Sequence, residues 1–103
     1  MDALVQGKTN EVAEICKQRG VRRLALFGSA AAGTFDSASS DLDFLVEFAP
    51  QSPAQLADNY FGLQEDLERL FQLPVELAEP GPIRNPYFKR AIERTQVVLY
   101  AAT

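Results

Sequence analysis

The sequence predicts a single α/β domain spanning residues 1–103. Two observations carry this. Apolar residues along the chain switch repeatedly between helical and strand spacing, in the order α-β-α-β-α-β-α-β, with no repeat and no linker between them. The 47% hydrophobic content over 103 residues suits one folded core and argues against disorder.

The first helix is expected over Asn10–Arg19. Asn10 stands as its N-cap, Val12, Ile15 and Cys16 recur at helical spacing, and Gly20 can take the left-handed position after the last turn. Val21 to Phe27 follows as a strand. Its run Leu24-Ala25-Leu26-Phe27 is almost unbroken, as in a strand covered on both sides. Gly28 ends the strand, Ser29 can cap a short helix through Ala30–Ala32, and Thr34 to Ser40 reads as a loop.

Asp41 to Phe48 is the second strand. Alternation puts Asp41, Asp43 and Leu45 on one face and Leu42, Phe44 and Val46 on the other. Ser52-Pro53 opens a long helix ending near Phe71, with Leu56, Tyr60, Leu63, Leu67, Leu70 and Phe71 as its core stripe. Gly62 is an unfavourable residue in its middle. Pro74 to Leu77 reads as a short third strand, Pro86 to Arg94 as a short helix, and Val97 to Tyr100 as the last strand.

Composition excludes several kinds of chemistry. Without histidine, and with Cys16 alone, neither a histidine base nor a structural zinc site can be built, so any metal must be a hard cation on carboxylate oxygens. A net charge of −4 disfavours nucleic acid as a partner. Arg84, Lys89, Arg90 and Arg94 could form a local basic patch, as could Arg19, Arg22 and Arg23. No run is long and apolar enough to cross a membrane, and no signal peptide is visible at the start. The lone cysteine allows no internal disulfide and fits a cytoplasmic protein; it reads as a small buried hydrophobe.

The chemistry concentrates between Phe27 and Val46. Two aspartates at i and i+2 of a strand point the same way, about 6.6 Å apart at Cα. Their carboxylates can converge on metal ions that sit about 3.5–4 Å apart in two-metal phosphoryl-transfer sites. Gly28 allows close approach of a phosphate to the backbone, and the Ser29 hydroxyl and the amides after it can bond its oxygens. The spacing matches neither a P-loop nor a dinucleotide fingerprint. A third carboxylate is expected from Glu76, flanked by Val75 and Leu77. Glu47 is expected to point away from the aspartate pair and is left out. If Asp41, Asp43 and Glu76 cluster, their mutual repulsion should raise carboxylate pKa values in the metal-free protein.

Gly28-Ser29, the eleven residues at positions 30–40, Asp41-Leu42-Asp43 and the later Glu76 together resemble the nucleotidyltransferase superfamily, in its minimal nucleotidyltransferase (MNT) branch. Pro80 to Tyr87 and Val97 to Tyr100 look like the C-terminal end of that branch. The resemblance implies a nucleotidyltransferase fold, a small mixed sheet with helices packed mainly on one face and the nucleotide cleft on the other. It implies magnesium-dependent transfer of AMP from ATP to an acceptor hydroxyl, with two Mg2+ ions held by Asp41, Asp43 and Glu76. Gly28, Ser29 and Ser40 would bind the nucleotide. In relatives the third carboxylate is more often aspartate, and the residue after Gly-Ser is often basic where this chain has Ala30. The chain has no room for the acceptor-presenting domain of larger members, so the acceptor is expected on a separate protein or a second copy of this chain.

Proteins of this branch are commonly antitoxins that adenylylate a tyrosine of a HEPN-domain ribonuclease toxin, and the resemblance implies that role here. Two alternatives stand beside it. One is a catalytically inactive module that neutralises its partner sterically. The other is one subunit of a small-molecule transferase of the aminoglycoside-modifying type.

Overall fold

The computed structural model describes residues 3–27, 41–79, 90 and 96–102. In chain order the elements are α1 (Ala3–Gln6), α2 (Thr9–Gln18), β1 (Val21–Phe27), β2 (Leu42–Phe48), α3 (Pro53–Phe71), β3 (Val75–Ala78) and β4 (Val97–Ala101). The short helix expected after Ser29 and the loop before Asp41 lie outside the described residues. So does the helix expected over 86–94, apart from Arg90, which is helical.

The four strands form one mixed sheet in the order β3-β2-β1-β4. Strand β1 runs antiparallel to both β2 and β4, while β2 and β3 are parallel. Alternation sorts the side chains onto two faces. Leu24, Leu26, Leu42, Phe44, Val46 and Val75 meet Val5 of α1, Val12 and Cys16 of α2, and Leu63, Leu67 and Phe71 of α3 in the main core. Ala25 and Leu45 form a smaller cluster on the opposite face, with Phe27 and Ala78 packed against it. The helices therefore cover one face, and the chemistry of the other is set by strand residues.

The start of α2 departs from expectation. Asn10 is not the cap: the helix begins at Thr9, with Lys8 in the N-cap position and no side-chain cap. A turn does the work instead. Lys8 donates its N–H to the Val5 carbonyl (3.1 Å), and its own carbonyl accepts from Val12 (3.0 Å), so α1 runs into α2 without a capping side chain. The end is as expected: Gly20 has φ +67, and a Cβ there would lie 3.0 Å from the Gln51 amide nitrogen. Burial pushes the Cys16 thiol up to about 12, so it behaves as a core hydrophobe and not a nucleophile.

Helix α3 has the expected bounds because its N-terminus is satisfied twice. The Gln55 N–H donates to Ser52 Oγ, and the Ser52 N–H donates to Gln55 Oε1, each at 3.2 Å, with Pro53 in the first turn. Leu63, Leu67 and Phe71 are buried, and the Phe71 ring stacks on Phe44 with centroids 6.2 Å apart. Gly62 has a specific reason to be there. A Cβ at that position would run into the Arg19 guanidinium, whose Nε donates to Asp66 Oδ2 at 2.8 Å. The missing side chain lets Arg19 lie across α3 and tie it to the end of α2.

Candidate active site

The site starts from the pairing of β2 with β3. Parallel register sets Leu42 opposite Val75 and Asp43 opposite Glu76. The first pair points into the main core, so the second must point to the opposite face, as must Leu45 and Ala78. Asp41 immediately precedes β2 and is exposed; Asp43 is half-buried and Glu76 exposed. Two carboxylates from sequence positions 33 apart (43 and 76) thus occupy neighbouring strands, about 4.8 Å apart across the ladder.

Their proximity has an electrostatic signature. Asp43 is raised above the usual aspartate value of 3.8, first by burial, then by the negative charges of Glu76 and Asp41, and by a side-chain hydrogen bond with Glu76. Among the described residues no three Asp, Glu, His or Cys side chains converge as an ion cage. The geometry is a close Asp43–Glu76 pair with Asp41 at the mouth.

Helix α3 holds β3 in place. As an edge strand, β3 turns one row of backbone groups away from β2, and unpaired groups of that kind are costly unless solvated or bonded. Glu68 Oε2 accepts the Val75 N–H (3.1 Å), Gln64 Nε2 donates to the Val75 carbonyl (2.9 Å), and the Tyr60 hydroxyl donates to the Leu77 carbonyl (2.9 Å). These residues lie at i, i+4 and i+8, one line along the helix. They bracket Glu76 on both sides and fix the strand that carries it. The sequence reading placed Tyr60 in the core stripe and passed over Gln64 and Glu68. The signal that was available is a line of hydrogen-bonding side chains beside the apolar stripe, just before an edge strand.

Glu47 requires a correction. Residues 43, 45 and 47 share parity, so Glu47 faces the same side as Asp43, and its pairing with Arg23 agrees. It is nevertheless not part of the site, because Arg22 Nη2 and Arg23 Nη1 hold its two oxygens at 3.5 and 3.6 Å. Arg19 is likewise paired, with Asp66. Arg19, Arg22 and Arg23 are therefore each ion-paired within the fold, Arg22 and Arg23 sharing one carboxylate. Gly28, Ser29 and Ser40, the expected nucleotide-binding residues, and Ala30 lie outside the described residues. Among the described residues no helix is long and apolar enough to cross a membrane.

Comparisons with known proteins bear on the family and the fold. A family model described as a nucleotidyltransferase domain matches residues 9–98. The "Putative protein adenylyltransferase MJ1379" of Methanocaldococcus jannaschii is 40% identical over 73 residues, which make up 71% of each chain. Among solved structures, a "putative minimal nucleotidyltransferase" superposes with TM-score 0.75 at 26% identity, over 94% of this chain and 95% of that one. A toxin–antitoxin structure with AMP-PNP shares the fold at TM-score 0.68 and 18% identity, over 91% and 73% of the two chains.

Proposed function

The chain belongs to the nucleotidyltransferase domain family, and on that premise we propose that it transfers AMP from ATP to a hydroxyl of a partner protein. The observation that carries the reading is the register of Asp43 against Glu76, on the face opposite the main core, with Asp41 just before the same strand. The name of the archaeal relative supports a protein as acceptor, and the shared fold with a toxin–antitoxin pair supports a toxin as that protein. We assign the acceptor to a tyrosine of a HEPN-type toxin, which makes this chain an antitoxin acting in the cytoplasm.

The donor chemistry suits magnesium, being carboxylate oxygens alone: the Asp43–Glu76 pair is side by side, and Asp41 would have to move toward it, since the three do not converge as a preformed cage. Asp41, Asp43 and Glu76 would hold two such ions, which supply charge neutralisation at the phosphates and a more acidic acceptor hydroxyl. The chain's own contribution is positioning. β2 and β3 fix two carboxylates side by side, and α3 holds β3 through three hydrogen bonds, so the reacting groups meet a preset arrangement. In the transfer the acceptor oxygen bonds to the α-phosphorus, the bond to the bridging oxygen breaks, and pyrophosphate leaves with that electron pair. The proton lost by the acceptor has the Asp43–Glu76 pair within reach. Gly28, Ser29 and Ser40 are assigned to the nucleotide on sequence grounds.

The test is incubation with labelled ATP, magnesium and the co-purified partner, comparing wild type with the double variant Asp41→Asn/Asp43→Asn. Label should pass to the partner only with wild type. If neutralisation of the partner survives in the variant and no label is transferred by either protein, the chain is a steric binding module and the catalytic reading is wrong.

A further inference from the structure

The face opposite the main core holds a fourth polar residue that the carboxylate site does not use. Gln96 directly precedes β4. Since Val97 pairs with Leu26 and Val98 with Ala25, the register carries Gln96 to the position beside Phe27. Phe27 in turn pairs with Asp43, and Asp43 with Glu76. One transverse row therefore reads Glu76, Asp43, Phe27, Gln96, one residue from each strand. Alternation puts Gln96 on the same face as the other three, because Val97 sits opposite the core residue Leu26.

Gln96 Oε1 is shielded from solvent and meets no hydrogen-bond donor among the described residues. A buried acceptor left unpaired is uncommon in folded proteins and costly to keep. A bound ligand is one way such an acceptor is satisfied. We infer that Gln96 reads the nucleoside of the bound nucleotide, its Oε1 accepting a hydrogen bond from a ribose hydroxyl or from the exocyclic amine of the base.

Position decides between nucleoside and acceptor. The hydroxyl that attacks must reach the α-phosphorus at the carboxylates, whereas Gln96 lies two strand spacings from Asp43, roughly 10 Å. The ribose and base extend over that distance from the α-phosphate. The inference deepens the proposed transfer of AMP and rests on it.

The experiment measures binding by titration calorimetry, in magnesium, of ATP, 2′-deoxy-ATP, 3′-deoxy-ATP and purine riboside triphosphate, which lacks the 6-amino group. Wild type and Gln96→Met are compared, and AMP transfer by wild type is followed in parallel. ATP should bind wild type about tenfold more tightly than Gln96→Met, the effect of one neutral hydrogen bond to a group otherwise left unpaired. One analogue should lose the same factor with wild type and nothing further with the variant, and its identity tells ribose from base. The melting temperature of the metal-free variant should be unchanged or higher, since methionine removes the orphan oxygen. If wild type binds all three analogues as tightly as ATP, the inference is overturned without recourse to any variant. It is also overturned if Gln96→Met discriminates among them as wild type does. In either case continued AMP transfer leaves the proposed function standing. A wild type that neither binds ATP nor transfers AMP overturns both.

Discussion

Replacing Gly62 with alanine sets two opposed effects against each other. In mid-helix, alanine is favoured over glycine by about 1 kcal/mol. The new Cβ, however, occupies the space of the Arg19 guanidinium and must push it away from Asp66. That bond is short, at 2.8 Å, and the Asp66 side chain is 17% exposed, but Arg19 is 32% exposed and solvent weakens the pair. A charge-assisted bond of about 1.5–3 kcal/mol, discounted for that exposure, leaves about 1–2 kcal/mol. Asp66 retains a weaker contact with Arg69 at 3.8 Å.

In wild type, Gly62→Ala should therefore be neutral or cost up to about 1 kcal/mol. In the Arg19→Ala background it should stabilise by about 1 kcal/mol, which for a domain of this size raises the melting temperature by roughly 4–8 °C. The coupling between the two sites, about 1–2 kcal/mol, is read from a double-mutant cycle by urea denaturation. Equal stabilisation in both backgrounds would refute the account of Gly62 as a seat for Arg19.

The remaining predictions concern the site. In metal-free protein, the Asp43 carboxyl should titrate above the ordinary 3.8 by NMR, and Glu76→Gln should bring it down by removing the neighbouring charge. The sign for stability follows from the raised value. As pH rises from about 3.8, the unfolded chain releases the Asp43 proton before the folded one does, so this group costs stability through that interval and above it. Asp43→Asn should consequently melt higher than wild type at neutral pH without metal, lose that advantage in acid, and transfer no AMP. Gln64→Leu leaves the Val75 carbonyl without its donor, which should cost about 1–3 kcal/mol by thermal melting. The same change should lower kcat for AMP transfer more than it alters the KM for ATP, because the strand carrying Glu76 is loosened.

Local rules acting over a few residues were legible in the chain. The Ser52-Pro53 start of α3, the limits of β1 and the left-handed Gly20 all follow from capping, apolar runs and turn chemistry. Asn10 was misread because a preceding turn, which no cap rule describes, satisfies the start of α2. Of the candidate site, Asp43 was legible because strand alternation sets it apart from the core residues Leu42 and Phe44, while Asp41, expected in the strand, lies just before it. Glu47 shows the limit of a reading from spacing: what keeps it out of the site is not its direction but two arginines reaching it from β1.

By itself the sequence determined α2, α3 and the four strands to within a few residues, though not α1, and, through residues 9–98, the family. Only the tertiary structure decided that Glu76 stands beside Asp43, since parallel pairing across a long helix is set by how both strands bury Val75 and Leu42 in one core. It also decided that Tyr60, Gln64 and Glu68 serve β3, and that Gln96 completes a row across four strands. These are contacts between segments far apart in the chain, and a one-residue change of register would send every such side chain to the other face.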